Sequence, residues 1–309
     1  MTHFTAAGSR TGSPEALSFL QKCRVGLLGV SLPKPVNSVD PTQFGLSFET
    51  LRFGGESRSE LEGWFIPHAK PKGVVLFAHG YAACKSSLLK EASAVHALGY
   101  SVFLFDCHGS GGSEGRVTSI GVREADDVAD AFAFAQERFG TSPIVLFGQS
   151  MGSAAILRAI AIQGIEPAGV IVECPFDRLL STAENRFRAM KLPAFPAARL
   201  LIFWGGLQLG FNGFQHNPVD YATQVQCPVL FLQGAKDPRV TLEQAQAVFD
   251  NLAGRKTFVV FPSAGHESLL TADSELWTKS VGHFLENIRR PDIRRSDTHG
   301  AAAPNFHQP

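Results

Sequence analysis

The sequence predicts an α/β protein built on a mostly parallel sheet with helices on both faces. Two observations carry this. Short, near-continuous apolar runs alternate with helical-length amphipathic segments, the pattern of parallel strands buried on both faces. The composition is that of a globular chain large enough for a substantial core: 309 residues, 44% hydrophobic and 18% charged.

The elements follow in chain order. The first sixteen residues are polar and lack the hydrophobic centre of a secretory signal. The next stretch, "ALSFLQKCRVGLLGVSLP", carries Lys22 and Arg24 in its middle and is too short and too charged to span a bilayer. Leu17, Leu20, Leu27 and Leu28 fall roughly on one face. The expectation within the N-terminal segment 1–43 is an amphipathic helix packed on the domain, with peripheral membrane contact by residues 17–30 as the alternative. The main domain is expected over 44–289. It opens with strands at 44–53 and 61–67 joined by the turn "GGESRSE". "GVVLFAHG" is the next strand and Ser86 to Leu98 a helix, then "YSVFLFD" and a helix from Arg123 to Phe139, whose first turns hold Glu124, Asp126 and Asp127. "PIVLFGQS" precedes a helix from Met151 to about Gln163. "GVIVECPF" and "PVLFLQG" (228–234) are further strands. A helix near 241–252, "KTFVVFP" (256–262) and a helix over 268–288 with Trp277, Val281, Phe284 and Ile288 on its apolar face complete the domain. Residues 177–226 break the alternation and read as a small helical cap inserted over one end of the sheet. The polar tail 290–309 reads as disordered.

Charge and cysteines bound the partners. Lys+Arg and Asp+Glu both number 28, which offers no basic face for nucleic acid. The five cysteines, Cys23, Cys84, Cys107, Cys174 and Cys227, form no CxxC pair and suggest a reducing, cytoplasmic setting rather than a disulfide scaffold. No cysteine–histidine group has zinc-ligand spacing in the sequence. No cofactor is implied: "DCHGSGGSEG" (106–115) is neither a dinucleotide fingerprint nor a P-loop, and reads as a turn packed near the loop at His79.

One junction carries chemistry. "VLFGQSMGSAAI" (145–156) places Gly148-Gln149-Ser150-Met151-Gly152 between a strand and a helix. A G-x-S-x-G there makes a turn so tight that residues two before and two after the serine must lack bulk, and it lifts the hydroxyl above the sheet edge. The alternative, a glycine-rich loop with a capping serine, is weakened by two further residues. Asp237 follows the strand "PVLFLQG", and His266 follows "KTFVVFP", so each lies past the same end of its own strand. A serine hydroxyl needs a base in hydrogen-bond reach, and the base needs an orienting acid. The order Ser150, Asp237, His266 fits an acyl-transfer triad; Glu173 and Asp177 are fallback acids. The backbone N–H groups of Tyr81 and Met151 are the expected oxyanion donors, Gly80 allowing close approach and His79 holding the loop. A metal-ligating role for His79 finds no partner ligands at suitable spacing.

With these residues the sequence resembles the α/β-hydrolase superfamily, over about 44–289: "HGY" (79–81), "DCHGSGGSEG" (106–115), "GQSMG" (148–152), "GAKDPRV" (234–240) and "AGH" (264–266). Within it the sequence looks most like the serine aminopeptidase-like and monoacylglycerol-lipase-like hydrolases with small caps. The resemblance implies a sheet of about eight strands, the triad and the oxyanion hole. Their usual Asp-x-Arg-Gly-x-Gly is here Asp106-Cys107-His108-Gly109-Ser110-Gly111, so the arginine's contacts do not transfer to His108. The reading is a serine hydrolase of carboxylic esters without metal or cofactor. Its alternatives are a peptidase or amidase using the same triad, or a non-catalytic binding protein on this fold. The cap offers Phe187, Met190, Phe195, Phe203, Trp204, Leu207, Leu209 and Phe211 either as an acyl-binding wall or as packing against the sheet. It offers Arg186, Arg188, Lys191 and Arg199 either as an anion-attracting set or as a solvated face.

Overall fold

The computed structural model describes residues 2–5, 29–54, 59–140 and 142–289. Most of the expected N-terminal helix (17–28) and the tail 290–309 lie outside the described residues. The centre is an eight-stranded sheet made from β3 (Glu49–Phe53), β4 (Leu61–Ile66), β5 (Val74–Ala78), β6 (Ser101–Phe105), β8 (Ile144–Gln149), β9 (Gly169–Glu173), β10 (Val229–Gly234) and β11 (Lys256–Phe261). The order is β11-β10-β9-β8-β5-β6-β4-β3, parallel except where β4 pairs antiparallel with β3 and β6. The mostly parallel sheet predicted from the sequence is therefore what the chain forms.

The central strands are apolar throughout because both faces are covered. In β5, Val74, Leu76 and Ala78 join one core with Val128 and Phe132 of the helix α2 (Glu124–Phe139) and with Ile156. Val75 and Phe77 join the other, with Leu89 of α1 (Leu89–Ala97) and Trp277. Full burial of each large side chain stabilises the fold by about 1.5–3 kcal/mol. The edge strand β3 is exposed at four of its five positions or partly so, and only Phe53 is buried.

Differences from expectation have local causes. Of the strand expected at 44–53 only Glu49–Phe53 forms; Pro41–Phe44 is a 3-10 turn, begun by Asp40 accepting from the Thr42 N–H (2.8 Å) and ended by Gly45 at φ 70°. The last helix is broken into α8 (Leu269–Ala272) and α9 (Ser274–Arg289) because Asp273 turns extended and its carboxylate caps the Leu276 N–H (3.0 Å). A second, three-stranded sheet, β2-β1-β7 from Val30–Pro33, Thr2–Thr5 and Val117–Thr118, was not legible in such short runs. Between β9 and β10 the chain makes α4 (Leu179–Ala189), α5 (Ala197–Leu209) and α6 (Pro218–Tyr221).

Candidate active site

Ser150 stands between β8 and the helix α3 (Met151–Arg158) with φ 52° and ψ −109°. That conformation is strained for a residue with a Cβ, and it persists because its surroundings leave no alternative. The Ser150 N–H donates to the Glu173 carbonyl (2.7 Å), and the Ser153 hydroxyl donates to the Gly148 carbonyl (2.6 Å). The flanking glycines are required by contact. A Cβ on Gly148 would sit 2.6 Å from the Ser153 nitrogen, and one on Gly152 would collide with the Ala78 carbonyl.

The three sequence-predicted residues come together. His266 Nε2 lies 3.0 Å from Ser150 Oγ, and His266 Nδ1 lies 2.6 Å from Asp237 Oδ2. Ser150 is separated from His266 by 116 residues, so only the parallel register of β8, β10 and β11 makes this contact. Asp237 is pinned by its own turn: Oδ1 accepts from the N–H groups of Arg239 (2.7 Å) and Val240 (3.0 Å). Burial alone would raise the Asp237 pKa. The hydrogen bond and charge of His266, together with the two N–H donors, outweigh burial and hold it below the usual carboxylate value. Ionised Asp237 in this position fixes a proton on Nδ1 of His266 and leaves Nε2 to accept from the serine.

The fallback acids are elsewhere. Glu173 is fully buried and accepts from Trp277 Nε1 (2.6 Å) and from Gln149 Nε2 (3.5 Å) rather than from His266; Asp177 accepts from the Ser181 hydroxyl (2.6 Å). Burial, reinforced by the nearby Glu91 carboxylate, raises the Glu173 pKa to about 8.

The loop after β5 is held as its residues suggest. Buried His79 donates from Nδ1 to the Gly80 carbonyl (2.9 Å) and accepts at Nε2 from the Cys107 N–H (3.0 Å), which requires a neutral ring; burial lowers its pKa accordingly. A Cβ on Gly80 would reach 3.9 Å from the Ser150 Cβ, so this backbone runs directly beside the serine. Met151 begins α3, where the first N–H groups have no intrahelical acceptor. The 106–115 loop packs against the same region. Asp106 accepts from the Lys85 backbone N–H (2.7 Å), from Lys85 Nζ (2.5 Å) and from Asn37 Nδ2 (2.8 Å). His108 donates its N–H to Asp127 (2.8 Å), and its ring occupies the space a side chain at Gly115 would need.

Sequence reasoning missed several members. Gln233 reaches Asp237 at 3.5 Å, and Cys174, with φ 49°, brings its sulfur into a group with Asp237 and His266 in which all ligand atoms lie within 4.8 Å. The three are far apart in sequence and escape any spacing rule. His266 and Asp237 already engage each other, and burial raises the Cys174 thiol far above its usual range, which disfavours the thiolate that binds metals.

The expected acyl-binding wall is corrected in part. Phe195, Phe203 and Leu207 are 75, 58 and 62% exposed and face solvent, whereas Leu209 is buried and Phe187 and Phe211 pack against the core. Arg186, Arg188, Lys191 and Arg199 are exposed, and the Arg186 guanidinium lies 5.8 Å from the centre of the Tyr81 ring.

Comparison with known proteins agrees with this frame. A family model described as serine aminopeptidase, S33, matches residues 69–202, and one described as TAP-like protein matches 212–298. An uncharacterized protein of Mycobacterium tuberculosis, Rv2307c, is 29% identical over 228 residues, 73% of this chain and 74% of that protein. The α/β hydrolase domain-containing protein WAV2 of Arabidopsis thaliana is 26% identical over 88% of each chain. The esterase Pf2001 of Pyrococcus furiosus superposes with a TM-score of 0.71 at 21% identity, covering 82% of this chain and 96% of its own. The chain belongs to the α/β-hydrolase superfamily. At the level of class, these findings support a hydrolase.

Proposed function

We propose that the protein is a serine hydrolase of carboxylic esters. The observation that carries this is the continuous hydrogen-bonded line from Ser150 Oγ through His266 to ionised Asp237, with the serine on a strained turn at a helix N-terminus. Ser150 Oγ attacks the ester carbonyl while His266 Nε2 takes its proton. The negative charge on the carbonyl oxygen is met by the N–H groups of Tyr81 and Met151, each donor in such a hole contributing about 10²–10³ in rate. His266 then returns the proton to the leaving alcohol, and the acyl group stays on Ser150. Water, deprotonated by the same imidazole, releases the acid. The sequence requires neither metal nor cofactor. Residues 177–226 form a small cap over this end of the domain, and a cytoplasmic setting suits its cysteines, of which the four described are free. Among the described residues no helix is long and apolar enough to cross a membrane.

The family description serine aminopeptidase favours one second reading, an aminopeptidase using the same residues. Parallel assays on p-nitrophenyl esters, acetate through palmitate, and on aminoacyl p-nitroanilides separate the two. Ester hydrolysis by the wild type, abolished in Ser150→Ala, is the expected result. Hydrolysis of anilides alone gives the aminopeptidase, and ester turnover that survives Ser150→Ala removes the serine from the mechanism.

A further inference from the structure

The insertion between β9 and β10 presents an apolar face to water. Along α5, Ala198, Ile202, Gly206 and Leu209 are buried against the rest of the molecule. On the opposite side Leu200, Phe203 and Leu207 stand exposed, at the i, i+3, i+7 spacing that stacks side chains in one stripe. Phe195 and Leu192, also exposed, extend the stripe onto the preceding turn. A helix apolar on both sides is normally covered on both; here the described residues cover one.

The charge around this stripe is one-sided. Residues 186–219 contain Arg186, Arg188, Lys191 and Arg199 and no Asp or Glu, in a chain whose formal net charge is zero. Arg188 is partly neutralised by Glu184 (3.0 Å), while Lys191 is exposed, and the Arg199 guanidinium lies 6.0 Å from the Phe195 ring at the stripe's border. A second copy of the chain would bring like charges together and is disfavoured as the occupant. An apolar stripe bordered by Lys191 and Arg199, with no acid between residues 186 and 219, fits an anionic lipid surface, with the stripe at the boundary of headgroup and acyl chain and the cations at phosphates.

We propose that the outer face of α5, with Leu192 and Phe195, docks the protein on an anionic lipid bilayer. The segment is joined to the candidate site: Asn185 of α4 donates to the Arg239 carbonyl (3.0 Å) beside Asp237, and Arg186 stacks near Tyr81. The docking segment is thus tied through α4 to the turn that holds Asp237. That the substrate there is a lipid ester rests on the ester reading above; the docking does not.

The test is flotation of the full-length Ser150→Ala protein with phosphatidylcholine vesicles, with and without phosphatidylglycerol. It is repeated on Phe203→Ser/Leu207→Ser and on Lys191→Glu/Arg199→Glu in the same background, with folding checked by circular dichroism. Binding to the phosphatidylglycerol vesicles that weakens with salt, and that falls about tenfold or more in each folded double variant, is expected. Absence of binding by the folded parent protein overturns the proposal. So does binding that the double variants retain in full, because the contact then lies on another surface. Turnover of a soluble p-nitrophenyl ester by the wild type reads the ester proposal separately.

Discussion

Ser150, Asp237 and His266 each occupy the first turn or loop beyond the end of a strand, and that placement made them visible in the sequence. An apolar run fixes where a strand ends, and in a parallel sheet the ends at one edge converge. Gln233, Cys174 and the Glu173–Trp277 hydrogen bond were not visible, because they depend on which strands are neighbours and in what register. On the proposed mechanism, Ser150→Ala lowers kcat by roughly 10⁶ and Asp237→Asn by about 10⁴, the latter because the amide favours the wrong histidine tautomer. Steady-state kinetics on p-nitrophenyl butyrate check both; near-normal turnover in either variant removes that residue from the triad. Gly148→Ala is a test of the turn rather than of the chemistry. Its Cβ meets backbone, not a movable side chain, so a loss of about 1–3 kcal/mol or more in urea unfolding is expected. Unchanged stability would mean the turn is looser than its contacts imply.

At the scale of elements, strands and helices of the sheet were legible from apolar runs, but the orientation of α5 was not. Its sequence, "AARLLIFWGGLQL", is apolar nearly all round, so periodicity names no inner face. Packing settles it: Ala198, Ile202, Gly206 and Leu209 are buried, and Gly206 has no Cβ because the chain turns back so tightly after α5 that one would sit 2.5 Å from the Phe211 carbonyl oxygen. A second feature hidden from the sequence is the ion cluster joining three segments. Lys85, fully buried, bonds Asp106 and Glu62 (2.9 Å) and lies 4.4 Å from the Trp64 ring centre. Lys85→Met strands the buried Asp106 carboxylate and should cost about 3–5 kcal/mol, whereas the double change Lys85→Met/Asp106→Asn recovers part of that loss. Chemical denaturation of the two variants decides this. Equal losses would show that the lysine's packing on Trp64, not its charge, matters.

Across the whole molecule, buried titratable groups push stability in opposite directions with pH. His216 donates from Nε2 to the Ile120 carbonyl (2.9 Å), tying the insertion to the loop before α2, and burial lowers its pKa to about 4. The unfolded chain takes up that proton near pH 6.5 and the folded chain only near 4. Stability from this residue is thus present above pH 6.5 and lost as pH falls toward 4, by roughly 3 kcal/mol. Glu173 and Asp127, both raised to about 8 by burial, act from the other side. Their protonated forms favour the fold at low pH, and the advantage is lost as pH rises from the ordinary carboxylate range to 8. Urea unfolding from pH 4 to 9 is expected to show a smaller acid-side loss in His216→Gln and a flatter alkaline side in Glu173→Gln. If both variants keep the wild-type profile, other groups set it.

His266 hangs from the end of β11, the outermost strand of the large sheet, which pairs with β10 alone. The serine's turn, the loop at His79 and the seat of Asp237 belong to strands laid down earlier in the chain. A chain synthesised past Asp237 but not yet past His266 would, on the proposed mechanism, carry the serine and the acid without the base between them. On that reading Ser150 would gain its proton acceptor only when β11, at the edge of the sheet, docks on β10.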